Sequence, residues 1–204
     1  MDKVEELQKL KKEMEEDKSL PLREGATQLV FGEGNPDAEI YCAGEAPGYH
    51  EDQQGRPFVG QAGQLLNRTL GTIGLKREDV YISNVVRFRP PSNRDPQPTE
   101  IAAFQPYVDR EIKIIDPKVI VTLGRFSMNK FLPGEMISRV HGRPRKVTWH
   151  GCGVTIVPMY HPAAALRSPQ VMQEFQEDFK KLPQILDEAK KEEREEKREQ
   201  MNLL

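Results

Sequence analysis

Apolar residues along this chain fall into two kinds of pattern. Val4, Leu7, Leu10 and Met14 recur at helical spacing and predict an amphipathic N-terminal helix within residues 1–20. After a turn-rich stretch, "FGEGNPDA", short continuous apolar runs predict buried strands. These are "EIYCAG" (Glu39 to Gly44), "VYISNVV" (Val80 to Val86), "KVIVTLG" (Lys118 to Gly124) and "GVTIVPMYHP", which ends at His161. Helical segments lie between them. One runs from about Gln61 to Ile73, and a short one from Arg125 to Phe131. Another runs from Thr99 to Ile115, with Pro98-Thr99 as its start signal and Asp116-Pro117 as its stop. A last helix opens near Ser168-Pro169 and runs towards a charged C-terminal tail, residues 187–204.

Strands alternating with helices predict an α/β sandwich with a mostly parallel sheet, spanning residues 21–186. In such sheets ligands bind beyond the carboxyl ends of the strands. The unusual polar residues of this chain sit there: Glu45 after the first strand, Asn84 near the end of the second, and His161 after the fourth. The pattern therefore predicts one edge where three polar side chains converge.

Composition narrows the picture. Charged residues make up 30% of the 204 residues, and the formal net charge is −2. Residues 1–18 and 184–204 each carry seven acidic and five basic residues, which leaves the body between them slightly basic. That balance neither demands nor excludes nucleic acid; the placement of basic residues decides. Two cysteines, Cys42 and Cys152, exclude a disulfide framework or a four-thiolate metal site within one chain. No apolar run reaches the length of a membrane span and no signal-peptide pattern opens the chain, so a reducing cytoplasm is expected.

Several segments carry candidate chemistry. "GEAPG" places Gly44 and Gly48 around a tight turn, where a backbone can approach a ligand closely, although a generic turn accounts for it equally. It lacks the Gly-Lys-Ser/Thr ending of a P-loop and the spacing of a dinucleotide fingerprint. Asn84 either caps a turn or offers one donor and one acceptor to a base. Uracil presents an acceptor at O4 and a donor at N3, and cytosine the reverse. Phe58, in "GRPFVG", is a core aromatic or a stacking platform for a base. His161 is either a structural histidine, the commoner case for a lone His, or the opening of a binding loop, "HPAAALR", whose small residues permit close approach to a groove, while Leu166 can wedge into a base stack and Arg167 can hold phosphate. Two basic runs suggest a phosphate footprint: Arg87, Arg89 and Arg94, then Arg139, His141, Arg143, Arg145 and Lys146.

Taken together, "VFGEGNPDAEI", "GEAPGYHEDQQGRPFVGQAGQLL", "VYISNVVRFRPPSNRDPQPTEI", "IVTLGRFS" and "HPAAALR" resemble the family-four uracil-DNA glycosylases from about Asp17 to Leu182. The resemblance implies a three-layer α/β/α sandwich with a central four-stranded parallel sheet, acting on uracil-containing DNA and leaving an abasic site. It implies that Glu45, Asn84 and His161 are catalytic. Gly44, Ala46, Glu51, Phe58 and Asn84 would bind the base, with Phe58 stacking on it, Asn84 reading its Watson–Crick edge and Glu51 crowding C5 to reject thymine. His161 would bond uracil O2, and Glu45 would lie by the glycosidic bond. Arg87, Arg89, Arg143, Leu166 and Arg167 would contact DNA. Some relatives have a water-activating Asp where this chain has Ala46.

One departure is large. The family carries four cysteines that hold an iron–sulfur cluster, and their positions here are Asp17, Leu20, Phe88 and Phe104. Such clusters need thiolates, so no cofactor is expected, and Leu20, Phe88 and Phe104 are expected to fill its volume. A related subgroup that cross-links covalently to DNA has a basic insertion with a His after this strand; "RFRPPSNRDPQP" shows no such insertion, so cross-linking is not expected. The expected form is a monomer without a metal. A non-catalytic DNA-binding relative, or a glycosylase for hypoxanthine or xanthine, remains open at this point.

Overall fold

A computed structural model describes residues 2–202. The chain folds in the order α1 (Lys3–Glu16), β1 (Glu33–Gly34), β2 (Ile40–Gly44), α2 (Tyr49–Gln54), α3 (Gln61–Thr72), β3 (Tyr81–Asn84), α4 (Pro98–Ile115), β4 (Val119–Leu123), α5 (Arg125–Phe131), α6 (Ile137–Val140), β5 (Arg145–Trp149), β6 (Cys152–Met159), α7 (Pro162–Ala165) and α8 (Pro169–Asn202), with three short 3₁₀ turns.

The strands form one sheet in the order β1-β3-β2-β4-β6-β5. Its centre is the expected parallel set, β3-β2-β4-β6. Among the described residues the sheet nevertheless has six strands, because an antiparallel strand is added at each edge of the four: β1 on β3 and β5 on β6. Neither edge has the apolar signature of a buried strand. β1 is two residues long. β5 is "RKVTW", mostly exposed, so its charges mask the strand signal.

Side chains alternate along the central strands and divide the core in two. Tyr41, Ala43, Tyr81, Ile120 and Ile156 face one layer, with Leu7, Leu10 and Met14 of α1 and Phe104, Val108 and Ile112 of α4. Ile40, Cys42, Ile82, Val119 and Val121 face the other, with Leu65, Leu66 and Leu70 of α3 and Phe175, Phe179 and Leu182 of α8. This is the α/β/α sandwich. Val4, the first residue of the α1 stripe, stays 42% exposed.

The helix ends follow local rules. Asp2 caps α1 by accepting the Val4 N–H. Gln97 and Glu100 form a capping box at the start of α4, and Asp116 closes it in the left-handed region just before Pro117. The helix α8 is continuous through residue 187, where a separate tail was expected to begin. Lys190 bonds Glu39, and Glu193 bonds Lys118, each at 2.9 and 2.8 Å respectively, so its charged second half lies against the sheet's amino end.

Candidate functional site

Beyond the carboxyl ends of the parallel strands lies a cleft of about 350 Å³, lined among others by Glu45, Glu51, Phe58, Asn84, His161 and Arg167. The three converging residues expected from the strand pattern are all in it.

Asn84 is the last residue of β3 and pairs in register with Gly44 of β2. The ladder continues past it, since Val85 and Val86 donate to the carbonyls of Gly44 and Glu45 at 3.0 Å each. Asn84 is buried, and its Oδ1 has no hydrogen-bond partner. A buried acceptor left unpaired is costly and calls for an explanation. A Cβ on Gly44 would lie 2.3 Å from that oxygen and 2.4 Å from the Phe58 ring. Glycine at this position is what allows the amide and the ring to share the cleft floor.

Phe58 has φ 51°, an uncommon conformation for an aromatic residue. Its surroundings hold it there. Arg77 donates to the carbonyls of Pro57 and Phe58, and is itself paired with Glu33. Glu51 Oε1 accepts the N–H groups of Val59 and Gly60, both at 2.8 Å, and so caps α3 from a distance. Strain of this kind persists where the surrounding structure over-determines it, often at a ligand site.

His161 caps α7: its Nδ1 accepts the Ala163 N–H at 3.0 Å. The ring proton of the neutral form therefore sits on Nε2. Burial pushes the His161 pKa down from 6.5 to about 4, against the pull of Glu51, so the ring is neutral at ordinary pH. Across from it, Glu45 Oε1 accepts the Phe126 N–H at 3.0 Å. Burial pushes the Glu45 carboxyl up from 4.5 to about 7, with a smaller push from Asp95. Gly124, at φ 104°, separates the two: a Cβ there would lie 2.3 Å from Glu45 Oε1 and 3.2 Å from His161 Cβ.

The arrangement is thus a closed apolar wall, an unpaired amide, a neutral imidazole donor and a carboxyl that titrates near neutrality. A family model described as the uracil DNA glycosylase superfamily matches residues 31–186. The chain is 46% identical to a type-4 uracil-DNA glycosylase of Sulfurisphaera tokodaii, over 89% of this chain and 86% of that protein. It is 45% identical to one of Archaeoglobus fulgidus, over 89% of this chain and 94% of that one. A third, from Thermotoga maritima, is 46% identical over 72% and 77%. The chain belongs to the uracil-DNA glycosylase superfamily.

The family resemblance and the structure part company at Arg87. It was expected on the DNA, but it is wholly buried, paired with Glu111 at 2.6 Å, and donates to Ser83 Oγ. Glu111 also accepts from Tyr41 and Tyr81. Arg87 lies under the sheet because side chains alternate at the end of β3, and Arg87 falls on the α4 side. Of the remaining expected DNA contacts, Arg89 is half-buried beside Asn93, while Arg143, Leu166 and Arg167 are exposed. Ala46 and Gly48 line the cleft with Glu51.

Sequence reasoning gave the loop after β3, with Arg94, to the DNA backbone and did not make it a wall of the cleft. Pro90, Asn93, Arg94 and Asp95 also line the cleft, and Asp95 is bonded to Arg125 at 2.6 Å. The loop's arginines suggested a phosphate footprint, not its position over the pocket.

The four positions at which the family resemblance implies thiolates offer one carboxylate and three hydrocarbon side chains. Asp17 accepts from Ser19 and Tyr107. Leu20, Phe88 and Phe104 are buried in one core layer, with the two rings 6.1 Å apart and the Arg23 guanidinium 4.9 Å over Phe88. This donor set does not fit an iron–sulfur cluster.

Proposed function

We propose that this protein excises uracil from DNA by holding the flipped base between Phe58 and Asn84 and stabilising it as an anion through His161. The protein is a uracil-DNA glycosylase acting in DNA repair; the roles of its individual residues are what we infer. The single observation that carries the reading is the buried, unpartnered Oδ1 of Asn84. Uracil N3–H can donate to it while the amide N–H₂ donates to O4. Cytosine would set acceptor against acceptor and donor against donor, a mismatch that can discriminate by about 10⁴ or more.

Breaking the glycosidic bond leaves a cationic sugar and an anionic base. A neutral His161 donating from Nε2 to O2 meets that charge as it develops, without first having to lose a proton. Glu45, on this reading, holds water and balances the sugar cation once ionised. Ala46 supplies no base, so the reaction leans on leaving-group stabilisation. Stacking on Phe58 offsets part of the few kcal/mol that flipping costs. Glu51, committed through Oε1 to the loop, keeps Oε2 beside Gly48, a position consistent with crowding the base at C5.

We further read the enzyme as a cytoplasmic monomer without an iron–sulfur cluster, in which Leu20, Phe88 and Phe104 join the segments that the cluster joins in relatives. Among the described residues no helix is long and apolar enough to cross a membrane. The test of function is incubation with single- and double-stranded oligonucleotides carrying uracil, hypoxanthine, xanthine or thymine, followed by alkali. Cleavage at uracil is expected; none at any enzyme excess would overturn the reading. Iron analysis tests the cofactor: stoichiometric iron with absorbance near 400 nm would refute its absence.

A further inference from the structure

Tyr49 is 53% exposed, one of four large apolar side chains so placed among the described residues. It opens α2, next to Gly48 and two residues before Glu51, both of which line the cleft. The exposed ring is nonetheless held. The Arg89 guanidinium lies 5.1 Å from its centroid, and the His50 ring meets it edge-on at 5.5 Å. Arg89 is fixed in turn, donating from Nε to Asn93 Oδ1 at 2.7 Å. Asn93 and Ser92 both adopt left-handed backbone, φ 54° and 55°, and Asn93 lines the cleft. Two loops, one after β2 and one after β3, thus present an aromatic–guanidinium pair at the cleft mouth.

When uracil leaves the base stack, the nucleotide next to it loses a stacking partner. An immobilised aromatic ring with a cation beside it is the surface that receives an unstacked base and its phosphate, whatever the base's identity. We propose that Tyr49 and Arg89 form a stacking platform for a nucleotide adjacent to the target uracil. The platform rests on the uracil-excision reading, and it adds a contact outside the uracil pocket that selects for a flanking base rather than for uracil.

The test is a double-mutant cycle between protein and DNA. Single-stranded oligonucleotides carry one uracil, with either the 5′ or the 3′ neighbour replaced by a tetrahydrofuran abasic residue. Half-saturating enzyme concentration is measured in single-turnover uracil release. For wild type, removing the stacked neighbour should weaken binding about tenfold. Tyr49→Ala should show that loss on the intact oligonucleotide and no further loss when the neighbour is removed. Tyr49→Phe should behave as wild type, and Tyr49→Leu, which keeps an apolar side chain without a ring, should behave as Tyr49→Ala. Equal sensitivity of wild type and Tyr49→Ala to base removal on both sides would overturn the proposal. Failure of wild type to release uracil from any oligonucleotide would instead sink the function itself.

Discussion

Phe58 and His161 stack on each other, with ring centroids 5.7 Å apart and planes 28° from parallel. The contact joins the loop after β2 to the turn after β6, so the proposed stacking wall and the proposed O2 donor pack as one unit. Phe58→Ala removes the wall and loosens the imidazole behind it. It should raise the half-saturating enzyme concentration for uracil DNA by about tenfold or more, from a lost stack of about 1–3 kcal/mol. Because Phe58 is 5% exposed, it should also lower stability by about 3 kcal/mol in chemical denaturation. Phe58→Leu should recover most of the stability and little of the binding.

Asn84 separates function from stability in the opposite direction. Its Oδ1 is buried and unpaired in the free enzyme, so Asn84→Ala removes an unsatisfied group and should leave the protein as stable or stabilise it by about 1 kcal/mol. The same change, like His161→Ala, should slow single-turnover uracil release by about a hundredfold or more. Wild-type rates in both variants would refute the role assignments.

If Glu45 acts as proposed, the reaction should depend on pH. With its carboxyl pushed up to about 7 by burial, the ionised form, which we propose balances the sugar cation, is lost as pH falls through 7. His161, held near 4, stays neutral across that range. The single-turnover rate should therefore rise through pH 7 and level off above 8, and Glu45→Gln should be slow and flat. Stability runs the other way. A carboxyl raised from 4.5 to about 7 in the folded state contributes stability below 4.5 that is lost as pH rises through 7. Glu45→Gln should therefore be more stable than wild type at pH 8, by about 1–2 kcal/mol after allowance for its partial exposure, with the gap closing at pH 5.

The parallel centre of the sheet was legible because buried strands are apolar on both faces, and "EIYCAG" and "KVIVTLG" admit few other readings. The converging triad was legible because Glu45, Asn84 and His161 interrupt apolar runs at strand ends. The edge strands were not, since β5 carries the charges of a solvated edge and β1 is too short to show a period. Arg87 was misread for a related reason. In "VVRFRPP" it looks like its neighbour Arg89, and only the partner, Glu111 in a helix distant in sequence, makes it a core residue.

That pair carries the last prediction. Arg87 and Glu111 are both fully buried, and Glu111 also takes the hydroxyls of Tyr41 and Tyr81. Removing one partner leaves a charge without compensation in the core, which costs about 3–5 kcal/mol. Arg87→Ala should therefore lower the denaturation midpoint sharply, while Arg87→Met combined with Glu111→Leu should recover part of the loss. Arg143→Ala and Arg167→Ala, at exposed positions, should do neither; each should weaken DNA binding across all sequences and reduce the salt slope by about one. If Arg87→Met with Glu111→Leu keeps the wild-type salt slope, Arg87 works for the fold; a slope reduced as in Arg143→Ala would return it to the DNA interface.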